Sequence, residues 1–348
     1  MSGRASAPVF VVGSPRSGTT LLYHLLLSSG GFAVYHAETN VFNLLAPRFG
    51  PLSGARHRAA LLEAWLPSEF FRRSGLDARA FRARVDARCR SAADLLREFM
   101  DAIVEQQGMR RWAECTPEHV LFTPAIARAL PDALFLHIIR DGRDVACSMA
   151  EQGWIGPRGS QDAAPRVLPS AFYWEWLVRR GRRAMGRLPG RALEVRFERL
   201  IDDPRGTLLE IGRFLDHDLD YDRIQAHPLG TVARPNTSFP GSSAGAGPFQ
   251  PVGRWRQLAE PGRARLEGAI GRTLADLGYA LDTAPGPLAA ARRETAGQRR
   301  RAHWRFAGRH WLKTRTPLGR VFTRTDLLHD FHAFDRERLR PLSARPEA

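Results

Sequence analysis

Two stretches of this sequence have the residue types and spacing to hold polyanions. The first, Gly13-Ser-Pro-Arg-Ser-Gly18-Thr-Thr20, combines two glycines, one cation and several hydroxyls. Consecutive backbone N–H groups in such a loop form an anion-binding concavity, and a helix starting at its end adds a positive dipole end. Gly18 lets the backbone approach phosphate oxygens, while Ser17, Thr19 and Thr20 offer hydroxyl donors. A nucleoside-triphosphate loop would carry lysine directly after the second glycine. Here Thr19 stands in that place and the cation sits earlier, at Arg16. That displacement points away from magnesium-assisted γ-phosphoryl transfer and towards another leaving group.

The second stretch is Ile139-Arg-Asp-Gly-Arg-Asp-Val-Ala-Cys-Ser148. It puts Arg140 at the carboxyl edge of an apolar strand, where open α/β sheets bind ligands, with Ser148 eight residues on. The bland alternative is a surface Arg140–Asp144 ion pair and a solvated serine. Between these stretches lie His36, Glu38, Glu114 and His119, which have the chemistry to take a proton from an acceptor hydroxyl or amine. His36 and His119 also read as ordinary capping or surface histidines. Cys89, Cys115 and Cys147 are odd in number and match no zinc or redox spacing, so they read as reduced thiols.

The elements that must position these residues alternate. Pro8–Val12 is a short β-branched run, the signature of a buried parallel strand, and Thr19–Ser29 has helical apolar content closed by Gly30-Gly31. Arg111–Glu114 predicts a short strand, and Thr116-Pro117-Glu118 a helix start with threonine as cap and proline at the first position. Ala133–Ile139 predicts the central strand. Ala192–Phe197 predicts another, with Asp203-Pro204 opening a helix to Leu215. Long helices are expected over Ser91–Gln107 and Ser170–Leu188. Pro228–Gly253, rich in Gly, Pro, Ser and Asn, predicts a lid or binding loop, and Thr283–Ala291 predicts a linker. Strands alternating with helices imply an α/β fold, a three-layer P-loop-like architecture with a central parallel sheet flanked by helices.

Pro15-Arg-Ser-Gly-Thr-Thr-Leu21 resembles the 5′-phosphosulfate loop of sulfotransferases that use 3′-phosphoadenosine-5′-phosphosulfate, in its arginine variant. The resemblance implies that Arg16, Ser17, Gly18, Thr19 and Thr20 hold the 5′-phosphosulfate. Arg16 would also neutralise charge growing on the bridging oxygen. Arg140 and Ser148, within R-D-x-R-D-V-x-x-S, resemble the family's 3′-phosphate site. Val195–Leu200 resembles the adenine-side strand, with Phe197 in a place where the family often has tyrosine; phenylalanine keeps the stacking face. Val252-Gly-Arg-Trp-Arg256 is similar to the segment that folds over the nucleotide, which makes Arg254 a further 3′-phosphate contact. Glu38-Thr39 resembles the Glu-Thr of tyrosylprotein sulfotransferases and so implies Glu38 as base. Cys115 occupies the place where many relatives carry a transition-state lysine. Either another cation, with Arg254 a candidate, supplies that charge, or the rate is low, or the activity is altered. The resemblance covers roughly residues 8–260.

The chain of 348 residues carries a formal charge of +16. Residues 286–348 hold fourteen Arg, one Lys and six acidic side chains, or +9, leaving +7 for the rest. The expected organisation is a sulfotransferase domain over 1–285 and a basic, aromatic-containing extension over 286–348. Lys313 is the sole lysine, a bias expected of a GC-rich bacterial genome. Arg299–Phe306 and His310–Thr314 mix cations with aromatics as membrane-surface helices do, so an anionic membrane surface is an expected partner of the tail. No nucleic-acid recognition module is apparent, and no nucleic acid is expected. A short polar start and the absence of long apolar runs predict a cytoplasmic protein, membrane-associated if the tail binds lipid. The expected chemistry is sulfuryl transfer to a small-molecule, glycan or lipid acceptor, without a metal, releasing adenosine 3′,5′-bisphosphate. The alternatives are a P-loop kinase-like phosphotransferase and a non-catalytic nucleotide-binding or membrane-surface protein. The acceptor would be set by Pro47–Arg90, Ser160–Arg183 and Pro228–Gly247.

Overall fold

The structure, a computed structural model, describes residues 3–153, 155, 164–226 and 251–323. Five parallel strands form one sheet: β1 (Val9–Gly13), β2 (Phe32–Ala33), β3 (Arg111–Glu114), β4 (Leu134–Ile139) and β5 (Ala192–Arg196). Their order is β2-β3-β1-β4-β5, with β1 in the middle. Side chains alternate across a strand, and β1 obeys this rule. Val9 and Val11 join a core with Leu22 and Leu26 of α1 (Thr19–Ser28), whereas Phe10 and Val12 join the opposite one.

That opposite core is covered by α2 (Ala92–Gln107) and α4 (Ala164–Met185), through Phe99, Ile103, Trp176 and Leu177. On the α1 side, Leu208, Ile211 and Leu215 of α5 (Pro204–Leu215) complete the cover. Helices cover both faces, so β1 and most of β4 are apolar along their length, while β3 carries Arg111 and Glu114 and the edge strand β5 carries Glu194. The expected three-layer α/β architecture is the one observed. A third cluster joins α3 (Gly142–Gln152), α4 and α6 (Glu260–Asp276) through Val145, Trp174 and Ile270.

Several boundaries differ from the sequence reading. The Thr116 hydroxyl does not cap the turn it precedes, the 3₁₀ helix Pro117–Leu121; it donates to Glu114 instead. Phe197 ends no strand but opens the helix Phe197–Asp202. The long helix predicted from Ser170 starts at Ala164, with Pro169 inside it. The expected linker Thr283–Ala291 is mostly helix, because α7 (Pro285–Arg315) begins within it. Proline in a first helical turn removes an N–H that has no intrahelical partner anyway. Most of the predicted lid, residues 228–250, lies outside the described residues.

Candidate active site

Parallel pairing places the two anion-suited stretches side by side. Register runs from Val9 opposite Leu134 to Gly13 opposite Ile138. A Cβ at Gly13 would lie 2.5 Å from the Ile138 carbonyl oxygen, so the chain leaves the sheet there without a side chain. The loop then turns through Arg16 at φ 70 and Gly18 at φ 93. The left-handed region costs a non-glycine residue about 1–3 kcal/mol and recurs at functional sites. Gly18 is required twice over, since a Cβ there would also meet the Phe197 ring at 2.3 Å.

Arg140 leaves the end of β4 beside this loop. Its Nη1 donates to the Arg16 carbonyl at 3.0 Å, and Nη2 donates to the Pro251 carbonyl. Its guanidinium lies 4.7 Å over the Phe197 ring. Arg16 Nε donates to Ser148 Oγ at 3.0 Å, so the two stretches meet directly. Phe197, expected to offer a stacking face, is buried between Gly18 and Arg140. Arg140, Asp144 and Ser148 are all buried, which rules out the surface ion pair of the bland alternative.

Asp144 has another task. Its carboxylate accepts the N–H of Gly253 at 2.8 Å and of Trp255 at 3.1 Å. Arg143 lies 3.8 Å over the Trp255 ring while pairing with Asp141 and Glu267. These contacts pin the segment carrying Arg254 onto α3. Arg254 itself pairs with Glu151 at 2.9 Å.

The site is electrostatically short of anions. Burial, then the charge of Arg140, lowers Arg16 to about 10, with Arg254 adding to the repulsion and Glu151 opposing it. Burial lowers Arg140 as well. Among the described residues, buried Ser17 Oγ and Arg140 Nε have no hydrogen-bond partner. Buried donors without acceptors are costly. A ligand with several anionic oxygens would satisfy both and offset the mutual repulsion.

Carboxylates gather on the other side of the loop. Glu114, buried at the end of β3, accepts from Thr39 at 2.8 Å, from Thr116, and shares a 2.9 Å contact with His119 Nδ1. Burial pushes this carboxyl up, but His119 and the two hydroxyls hold it below its ordinary value. Glu38 behaves oppositely. Burial, then the charges of Glu114 and Glu118, push it up to about 8, with only Asn40 opposing. Cys115 connects these carboxylates to the loop, since its thiol is hydrogen-bonded to the Thr19 side chain. Burial, Glu38 and Glu114 raise that thiol well above its ordinary value, so it stays protonated. His119 thus belongs to a buried network rather than the surface. His36 is close enough to His24 for an edge-on ring contact at 6.1 Å.

Sequence reasoning gave no individual role at this site to Asn43, Tyr173 or Lys313, although Asn43 and the Tyr173 hydroxyl bind Glu118. No local pattern marks them, because each arrives from a different element. A surface groove of about 560 Å³ lined by Arg205, Leu209, Gly212 and Tyr221 lies outside this constellation.

Comparison with known proteins bears on family and fold. The model of the Sulfotransferase family matches residues 8–223. A putative protein-tyrosine sulfotransferase of Caenorhabditis briggsae is 26% identical over 229 residues, which is 64% of this chain and 69% of that one. A protein of the same description from Caenorhabditis elegans is 34% identical over 126 residues, 35% of this chain and 47% of its own length. Among solved structures, the sulfotransferase domain from the Synechococcus PCC 7002 olefin synthase aligns with TM-score 0.50 and 20% identity, covering 79% of this chain and 95% of that one. That last likeness concerns the fold.

Proposed function

The chain belongs to the sulfotransferase family, and from that premise we propose that it moves a sulfuryl group from 3′-phosphoadenosine-5′-phosphosulfate to a hydroxyl or amine. The observation that carries the donor is the buried arginine cluster with its unpartnered polar atoms, Ser17 Oγ and Arg140 Nε. Arg16, Ser17, Gly18, Thr19 and Thr20 would hold the 5′-phosphosulfate; Arg140, Ser148 and Arg254 would hold the 3′-phosphate. Phe197, wedged beneath Arg140, would steady that cation on the adenine side. The bound donor supplies a sulfuryl group whose bond to the 5′-phosphate breaks as the acceptor oxygen or nitrogen bonds to sulfur. Glu38 takes the acceptor proton, and Arg16 offsets the charge left on the bridging oxygen. The names of the two nematode relatives, putative protein-tyrosine sulfotransferases, favour a phenolic hydroxyl among the acceptors of this class.

Thermal-shift titration with adenosine 3′,5′-bisphosphate, Mg·ATP and 5′-AMP tests this reading. At one hundred times its dissociation constant a ligand adds about 2.7 kcal/mol. The bisphosphate is expected to stabilise alone, and Arg140→Ala to remove the effect. Stabilisation by Mg·ATP instead would favour the kinase-like alternative, and no shift at all the non-catalytic one.

A second observation concerns where the enzyme works. On the outer side of α7 and the short helix Gly319–Phe322, Trp304 is 80% exposed, Trp311 57%, Val321 74% and Phe322 66%. Exposed Arg300, Arg301, Arg305 and Arg315 stand among them. Aromatics at this density beside cations suit anionic headgroups. No helix of the described residues is long and apolar enough to cross a membrane, so the contact would be peripheral. Sedimentation with phosphatidylserine vesicles is expected for the wild type and lost in Trp304→Ser/Trp311→Ser. Equal sedimentation of the two would end this reading.

A further inference from the structure

Helix α7 lies beyond the residues matched by the family model, yet its inner side reaches the acceptor half of the site. Arg299, Ala302, Phe306, His310 and Lys313 recur at three- and four-residue steps, so they share one side of the helix. Phe306 packs edge-on against Tyr173 at 5.1 Å, and His310 against Phe122 at 5.3 Å. Beyond them the helix Gly319–Phe322 is fastened to Ala46–Phe49, where Arg48 donates to the Arg320 carbonyl.

A line of polar contacts runs from Glu38 to Glu118 and Tyr173, and the Tyr173 ring packs on Phe306 of this helix. Asn40 Nδ2 donates to the Glu38 carbonyl at 3.4 Å, and Asn43 Nδ2 donates to Asn40 Oδ1 at 2.8 Å. Asn43 also reaches Glu118 Oε2 at 3.4 Å, while the Tyr173 hydroxyl donates to Glu118 Oε1. Glu38, Asn40, Asn43, Glu118 and Lys313 all remain partly accessible, as residues lining a crevice do.

Both Glu118 oxygens are therefore engaged before Lys313 is considered. Lys313 lies within the electrostatic influence of Glu118, but it makes no hydrogen bond or ion pair with the described residues. Burial lowers its amine, Glu118 opposes that and Arg309 adds to it. Arg180 and Arg315 also act on the neighbouring His310. The Glu118 carboxylate is thus already occupied by neutral donors. A half-buried ammonium that makes no ion pair with the described residues is open to an anion that reaches it.

We propose that α7 forms one wall of the acceptor site and that Lys313 receives an anionic group carried by the acceptor. The inference rests on Glu38 marking the acceptor side. It makes Lys313 a specificity-determining residue that selects a hydroxyl compound bearing a carboxylate over one bearing an amine.

Because Lys313 is the sole lysine, reductive methylation with carbon-13 formaldehyde labels only it and the chain's α-amine, and methylation keeps the charge. The labelled protein, loaded with adenosine 3′,5′-bisphosphate, is titrated with 4-hydroxyphenylacetate, with tyramine and with acetate. The expected result is a saturable shift of the Lys313 methyl signal with 4-hydroxyphenylacetate, a weaker one with acetate and none with tyramine. Lys313→Gln is expected to abolish the thermal stabilisation given by 4-hydroxyphenylacetate, and Lys313→Arg to retain it. Equal responses to the three compounds, no response, or full stabilisation of Lys313→Gln would overturn the proposal. Failure of the donor reading shows separately, as loss of stabilisation by the bisphosphate alone.

Discussion

Glu38 and Glu114 repel one another and settle in opposite states. Glu114 collects two hydroxyls and His119, so its charge is fixed and satisfied. Glu38 receives no comparable donor, and burial with two neighbouring carboxylates raises it to about 8. Carboxylates driven apart in this way divide structural and proton-transfer work. A base must be ionised to act, so acceptor-dependent kcat/KM should rise with pH through about 8. Glu38→Gln should remove that rising limb and lower kcat by about 10²–10⁴-fold, leaving adenosine 3′,5′-bisphosphate affinity intact. Full turnover in that variant would exclude Glu38 as the base. At this scale the sequence was informative where chemistry is local. The loop, Arg140 and Ser148 were legible because each sits in a short local pattern, and the structure brings the two patterns into contact. Asp144 did not, since its partners Gly253 and Trp255 lie more than a hundred residues downstream.

Among the elements, α7 shows how a contact network converts an extension into part of the domain. Glu175, buried on α4, accepts from Arg299 Nε at 2.6 Å and Nη2 at 2.7 Å, from Thr273 at 2.6 Å, and lies 3.1 Å from His303. These donors hold its carboxyl down at about 2 despite burial. Removing one partner of a buried pair leaves the other uncompensated. Arg299→Ala should therefore cost about 3 kcal/mol in urea unfolding, whereas Arg293→Ala, at an exposed position, should change little. Equal effects would mean that the fork does not fasten the helix. The linker reading of Thr283–Ala291 failed because Pro285 and Pro287 look like breakers but fall within a first turn. β1 and β4 were legible as short apolar runs, and β3 and β5 as short strands in the alternation. β2 was not, because two residues carry no period.

For the molecule as a whole, the buried histidines dominate the response to acid. Burial, then Arg182 and Arg196, lowers His137 to about 3, and burial with His36 lowers His24 to about 4. Unfolded histidine titrates near 6.5, so below that pH the unfolded chain binds protons that the folded chain refuses. Stability should thus fall as pH drops from about 6.5 towards 3. His137 alone should account for about 2 kcal/mol between pH 7 and pH 5. Urea midpoints across that range would measure it, and His137→Phe, close in volume and without a titrating group, should flatten the slope. An unchanged slope would place the acid sensitivity elsewhere.

Gly18 and Phe197 have a consequence for the protein's descent. A ring fills the space where a Cβ at position 18 would sit, and the backbone there is already in a conformation that favours glycine. Position 18 is closed for two separate reasons, and only one of them depends on position 197. A lineage that exchanged Phe197 for a smaller side chain would open the space but still inherit the torsion, so the glycine could not drift in its wake. The reverse dependence is looser. While glycine persists at 18, changes at 197 are limited by packing against the loop and Arg140 and not by the torsion at 18.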